Sequence, residues 1–443
     1  MKQTVLPMLV IFGCASAGGG ATLRVPTDYT TINAGLDAAV AGDTVLVAPG
    51  VYPDFEVRNV GGSIFSACAF LRNGVTLKSE SGASVTSIDR MAVGGGNFSV
   101  LLWGDNLPNG TLVEGFRLTG NPPGGTATAF GNFGAGELVM RGCWFEALEN
   151  GAQGATIRIV NANARFEDCV FRNCSGRNAA ISQDHGSLTL IRTTVEDCAS
   201  GSSPILGLGH SYPTFRRFMA TDCVFRNNTA EGEGGVITTQ QYLGGIEITG
   251  CTFMDNSAVQ NAGAVYLSGA GEADKTIRGN LFLRNTVTGS QSPDGGALVA
   301  NGGRITIEEN TFVASRLIHA GGGSAIQTSG ENGSVIRHNV IAGSSGGPAV
   351  ECGSGITLSC NVFWSNADGD VDGCVLSSTD LIADPQFCDP ASDNYYVSQS
   401  SPCVPENNPN CGPIGAFGVG CGLISVTPMS WGQIKGMYQL REE

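Results

Sequence analysis

A chain of 443 residues with 65 glycines and only 14% charged residues is too apolar for disorder and lacks the three-residue glycine period of collagen. Its formal charge of −15, with lysine confined to Lys2, Lys78, Lys275 and Lys435, provides no basic surface for nucleic acid or heparin-like polyanions. Neutral glycans, cations or another protein are the partner classes that this charge admits.

In chain order, Lys2 precedes an apolar run over residues 5–12 and an Ala15-Ser16-Ala17 triplet. This is the layout of a secretory signal over 1–17, cleaved after Ala17. The residues before Cys14 also resemble a lipoprotein box, but bulky Phe12 stands where such boxes take a small residue, so cleavage is preferred to lipid anchoring. No later run reaches ~20 apolar residues, so no transmembrane helix is expected. The expected location is secreted, extracellular or on the cell surface.

TTINAGLDAAVAGDTVLVAPGVY (30–52) begins with a threonine N-cap and places Ile32, Leu36 and Ala39 on one helical face. Gly42-Asp43 ends this helix, and a first strand follows from Thr44. Such a helix covers the open end of a stack, whose unpaired backbone would otherwise invite edge pairing.

A repeat then dominates. IEITGCTF sets Ile246, Ile248, Cys251 and Phe253 in a frame that recurs in RITIEENTF, GITLSCNVF, ARFEDCVF and ELVMRGCWF. The position of Cys251 recurs at 116, 143, 169, 193, 223, 280, 310, 339 and 361, every 22–30 residues. Each coil carries a second strand signal upstream, GGVI (234–237), GAVY (263–266), GALV (296–299), SAIQ (324–327) and PAVE (348–351). No 3.6-residue stripe accompanies them, which separates this pattern from a leucine-rich horseshoe. The fold class is all-β: a single-stranded right-handed parallel β-helix of about twelve coils with an N-terminal capping helix. Residues 22–380 form the β-helix, 381–421 a cysteine-rich closing segment and 422–443 a tail, where Trp431, Ile434 and Met437 fall at helical spacing after Ser430.

Cys143, Cys169, Cys223 and Cys251 occupy a position that is asparagine in later coils. Cys174 and Cys198 occupy the position five residues on, shared with Asn228, Asn256, Asn285 and Asn366. Coils stack about 4.8 Å apart, within the disulfide window. Cys174–Cys198, then Cys143–Cys169 and Cys223–Cys251, are therefore disulfide candidates. Cys352, Cys360, Cys374, Cys388, Cys403, Cys411 and Cys421, with Cys68 upstream, supply staples whose pairing the sequence leaves open.

No catalytic residues are assigned. His185, His210, His319 and His338 fall at unrelated coil positions, without a nucleophile elbow. No cofactor is expected. DGDVDG (368–373) spaces three aspartates as a calcium loop does but lacks the bidentate glutamate, and reads first as a polar turn. No zinc spacing is present. The fourth letter of the upstream strands runs Ile237, Tyr266, Val299, Gln327, Glu351, an outward stripe in which Tyr266, Gln327 and Glu351 suit sugar rings.

Residues 30–52 resemble the opening of pectin-lyase-like β-helix proteins. ADPQFCDPASDNYYV (383–397) with SQSSPC (398–403) resembles the closing segment of secreted bacterial β-helix repeat proteins. Phe225-Arg226-Asn227-Asn228 followed by GGVI, with Phe253-Met254-Asp255-Asn256 and Phe282-Leu283-Arg284-Asn285, is similar to the FxxN and GGA[ILV] repeats of chlamydial polymorphic membrane proteins. That family are autotransported adhesins, of which only the passenger-like part is matched. The resemblance implies an adhesive or glycan-binding scaffold, with a polysaccharide lyase or glycoside hydrolase as the competing reading. The lyases of this fold use Lys or Arg beside calcium-binding carboxylates, and the polygalacturonase-like hydrolases use paired aspartates. Their signatures do not appear; GLGHS (207–211) is a fragment. An extracellular glycan or cell-surface partner and a monomeric state are the corresponding expectations.

Overall fold

The computed structural model describes residues 20–422 except 90–97, 121–126, 134–135, 151–156, 161, 177–180, 185, 202–205, 208–216, 240–243, 269–272, 292 and 354. The expected signal at 1–17 and the helical spacing around Trp431 lie outside these residues. The chain divides into two compact units, residues 1–176 with 183–187, and residues 177–182 with 188–443. Each is built from short parallel strands wound into a right-handed β-helix.

In the first unit, one sheet runs Thr22–Val25, Thr44–Val47, Thr76–Ser79, Thr111–Glu114, Glu137–Arg141 and Asn163–Glu167 in spatial order. The strand at Thr44 is thus second in its sheet, after Thr22–Val25, and not the first as the sequence suggested. The corresponding sheet of the second unit runs from Leu188–Ile191 through Ile246–Thr249 and Ile305–Glu308 to Ile356–Ser359, seven strands against six. The number of rungs therefore departs slightly from the twelve expected.

The predicted helix is α1, Ile32–Ala38, where Thr31 Oγ1 accepts the Ala34 N–H at 3.1 Å. Ile32 and Leu36 are buried, whereas Ala39 is the C-cap and half-exposed. Buried Asn33 accepts the Phe70 N–H at 2.8 Å and donates to the Ala67 carbonyl, docking α1 onto the strand Ser63–Phe70.

The second unit shows why its repeat has this form. In DCVFRNN (222–228), Asp222 and Asn227 take left-handed φ values of 53° and 55°. They bracket a three-residue strand, Val224–Arg226, whose Phe225 points inward. Gly250, Gly279, Glu309, His338 and Cys360 repeat the first bend. Each bend turns the following residue into the interior, where cysteine or asparagine stands. His338 thus stands at one of these bends.

Inside, the asparagines form a continuous ladder. Asn280, Asn310 and Asn339 each donate through Nδ2 to the next Oδ1 at 2.9–3.0 Å, ending at Asn361. Each Oδ1 also accepts the backbone N–H of the preceding rung, as Asn310 does from Asn280 at 2.9 Å. Asp380 Oδ1 closes the series, accepting both the N–H and Nδ2 of Asn361. A second ladder joins Asn228, Asn256 and Asn285. Ser315 and Ser344 interrupt it with buried hydroxyls that have no protein partner. Beside the ladders, the rings of Phe225, Phe253, Phe282 and Phe312 stack at 4.5–4.8 Å, in keeping with the strand spacing.

The six repeat cysteines, candidates for disulfides on spacing alone, are buried in the structure, which joins none of them by a disulfide. Their sulfurs stand in for the carboxamide. Cys223 N–H donates to Cys251 Sγ at 3.4 Å, just as Cys251 N–H donates to Asn280 Oδ1 at 2.8 Å. Each thiol also turns toward a backbone carbonyl: Cys143 to Arg141, Cys169 to Glu167, Cys174 to Phe145, Cys198 to Glu196, Cys223 to Thr221 and Cys251 to Thr249.

Of the three disulfides, Cys352–Cys374 lies within the β-helix, while the closing segment holds Cys388–Cys421 and is tied to the coils by Cys360–Cys411. This segment folds back over the outer face of a sheet in its own unit. Phe387, Tyr395 and Phe417 cover Met254, Leu281, Leu283 and Val313, and Val397, Val404 and Ile414 cover Val340 and Val362. Asp393 pairs with Arg284 at 2.5 Å across 109 residues.

Replacing Asn310 by Ala removes the acceptor of the buried Asn280 N–H and Nδ2 and the Nδ2 donor to Asn339 Oδ1. Such orphaned buried groups cost about 1–3 kcal/mol. Denaturant titration is expected to show that loss, while Thr306→Ala on the outer face changes stability by less than about 0.5 kcal/mol.

Candidate functional site

The third sheet of the second unit has an outer face that the closing segment leaves open. Its strands include Ile237–Thr239, Val265–Leu267, Leu298–Asn301, Ile326–Ser329, Val350–Cys352 and Val371–Asp372. Their register aligns Thr238, Tyr266, Val299, Gln327, Glu351 and Asp372 in one row. The sequence reading placed Ile237 here, but Ile237 pairs with Val265 and is fully buried. GGVI carries one glycine more than the frame needs. Gly235, not Gly234, packs against the next rung, where a Cβ would strike the Gly263 carbonyl.

Side-chain size along this row is uneven. Thr238 and Val299 are buried beneath the turns that precede their strands, whereas Tyr266, Gln327 and Glu351 are half-buried and Asp372 is exposed. Tyr266, Gln327 and Glu351 lie in this one row, Gln327 and Glu351 on adjacent rungs about 4.8 Å apart and Tyr266 two rungs from Gln327, across Val299. Asn301 Nδ2 donates to Gln327 Oε1 at 3.3 Å and Ser329 Oγ to Asn301 Oδ1 at 3.1 Å, fixing the amide from one side.

On the other side runs a line of acidic and amide groups outside the strand letters of the repeat. Asn261 donates to Glu233 at 3.4 Å and accepts the Asp294 N–H at 3.1 Å. Gly322 N–H donates to Asp294 Oδ1 at 3.2 Å. Asp294 precedes the strand Leu298–Asn301 and Glu351 lies on Val350–Cys352, two rungs on, yet both lean over Gly322, where a Cβ would collide with Asp294 Oδ1 and Glu351 Oε2. The signal in the sequence is the Gly321-Gly322-Gly323 run, which removes the side chains that would keep the carboxylates apart.

Burial raises the Asp294 carboxyl above its ordinary pKa of 3.8, against the Gly322 N–H, which lowers it. Burial, then the Asp294 charge, raises Glu351 above its ordinary 4.5. Burial and the nearby Glu233 charge also hold the Tyr266 phenol above 10.0. Two adjacent carboxyls that resist joint ionisation can share a proton, donate it, or accept hydroxyl hydrogens from a ligand.

The calcium-like spacing at 368–373 does not converge. Asp368 accepts the Gly346 N–H, Asp370 accepts from Asn366, and Asp372 accepts the Gly373 N–H. Among the described residues, no cluster of three or more metal-ligating side chains is formed. His319 is exposed, and His338 occupies the bend described above; His185 and His210 lie outside the described residues.

Residues 98–282 match the family described as right handed beta helix region. Among solved structures, an arginine-to-alanine variant of the PL6 family alginate lyase AlyGC aligns over 93% of this chain and 58% of its own, at 14% identity and a TM-score of 0.45. The unsubstituted AlyGC aligns over 83% of this chain and 54% of its own, at 13% identity and a TM-score of 0.39. The chain thus spans little more than half the length of those lyase chains. No curated protein matches it. Among the described residues, no helix is long and apolar enough to cross a membrane.

Because both carboxyl pKa values are raised, the folded state binds protons more tightly than the unfolded chain. Their contribution to stability is therefore full below the ordinary values of 3.8 and 4.5 and is lost as pH rises through the higher folded values. Thermal melts between pH ~4 and ~7 are expected to show this decline. Glu351→Gln should flatten it, and an unchanged slope would separate the pair from the pH response.

Proposed function

We propose that this right-handed parallel β-helix protein is a secreted or cell-surface scaffold that binds glycans, without catalysis, along the outer face of its second-unit third sheet. The observation that carries this reading is the in-register placement of Tyr266, Gln327 and Glu351 on one open face. An aromatic ring offers an apolar surface to the C–H face of a sugar, while the amide and carboxyl take its hydroxyls. Stacked rungs make a stripe suited to an extended chain. Three disulfides support an oxidising, extracellular setting.

A second reading, a carbohydrate-active enzyme, is favoured by the Asp294–Glu351 pair. A carboxylic acid beside a carboxylate is the usual equipment for glycoside hydrolysis. The second unit's only described lysine, Lys275, is buried in a different sheet and donates to the Gly302 carbonyl at 2.5 Å, so it offers no lyase base on this face.

A glycan array followed by reducing-end assays on the bound polysaccharides tests both. Binding without new reducing ends, reduced at least tenfold in a Tyr266→Ala/Gln327→Ala variant, is the expected result. An array blank for the wild type would refute the binding role. Release of reducing ends that disappears in Asp294→Asn and Glu351→Gln would establish the enzyme instead.

A further inference from the structure

The first unit contains a cleft of about 440 Å³, open to solvent, on the outer face of its first sheet. Its floor is an in-register row, Thr76, Leu112 and Val139. Its wall is the turn carrying Pro108, Asn109 and Gly110, and the Glu137 side chain is exposed at its edge. Ligand sites commonly occupy about 300–1,000 Å³, so the space suits one or two small rings.

Three features shape this cleft. Asn73 Oδ1 accepts the Asn109 N–H at 2.7 Å, and Gly74 N–H donates to the Gly110 carbonyl at 2.7 Å, so successive turns are tied into one wall. Gly110 has a φ of 76°, and a Cβ there would lie 2.7 Å from the Glu137 carbonyl oxygen. Only glycine lets the turn approach the strand this closely. The second outward row of the same sheet is charged but internally paired. Lys78 meets Glu114 at 2.6 Å and Arg141 meets Glu167 at 2.9 Å, while Arg165, which continues the floor row beyond Val139, turns across to pair with Glu167. These cations are engaged beside the cleft, whose own charged lining residue is Glu137.

We infer that this cleft is a second carbohydrate subsite, selective for neutral or amino sugars over uronic acids. Leu112 and Val139 meet the apolar face of a pyranose, while Thr76, Asn109 and the turn backbone take hydroxyls. Glu137 accepts from a hydroxyl or ammonium and repels a carboxylate. The inference shares the ligand class of the function proposed above but rests on different residues in a different unit.

Calorimetric titration of the full chain with cellobiose, the glucosamine disaccharide and digalacturonate tests it. Cellobiose and the glucosamine disaccharide are expected to bind and digalacturonate to bind at least tenfold more weakly. Val139→Arg, which fills the floor from an outward position, should weaken both by at least tenfold. Glu137→Gln should reduce only the advantage of the amino sugar, and Thr306→Ala, in the second unit and away from its third sheet, should change nothing. Equal affinity for digalacturonate, no binding of any disaccharide, or binding indifferent to Val139→Arg would overturn the inference. Binding lost in Tyr266→Ala but kept in Val139→Arg would overturn it while leaving the third-sheet proposal standing.

Discussion

The second unit depends on one requirement: a carboxamide buried in a dry interior must have every hydrogen bond satisfied. An isolated buried amide is costly, but a column of identical amides in register satisfies itself. Asn280, Asn310, Asn339 and Asn361 do so only because adjacent rungs align without slip. The left-handed bend before each of them keeps the side chain pointing inward. Register, corner geometry and core composition are therefore aspects of one constraint. Where a cysteine takes the position, the sulfur keeps the acceptor role with a longer contact.

The same register organises the outer surface. Because one inward column cannot slip, neither can the outward columns, and residues far apart in sequence become neighbours at a fixed step. Tyr266, Gln327 and Glu351 owe their proximity to this rule. Asp294 and Glu351 deviate from it only where three consecutive glycines leave space for two carboxyls to lean together. Their raised proton affinity follows from partial burial and, for Glu351, also from the Asp294 charge, so packing sets the chemistry of this face.

Much of this was legible in the sequence. Two-residue alternation, recurring aromatic positions and interchangeable Asn and Cys revealed the rungs, and Thr31 with Ile32 and Leu36 revealed α1. What escaped was whatever a repeat alignment cannot express. Doubling of glycine at 234–235 hid the true frame, which moved the row from Ile237 to Thr238. Asp294 sits before its strand, outside the alternating letters that carry Glu351. The apolar outward residues Leu281, Leu283 and Val340 violated the in–out pattern for a reason only the fold shows, since Tyr395, Phe387 and Ile414 lie over them.

Asp380 gives the asparagine column a direction. Every carboxamide can hand a hydrogen to the next rung, but the closing carboxylate accepts and has none to pass on. An in-frame duplication between Asn280 and Asn361 would insert a rung that finds a donor on one side and an acceptor on the other. A rung appended after Asp380 would meet no donor. The asparagine column can therefore lengthen by internal copying, and Asp380 marks its C-terminal end.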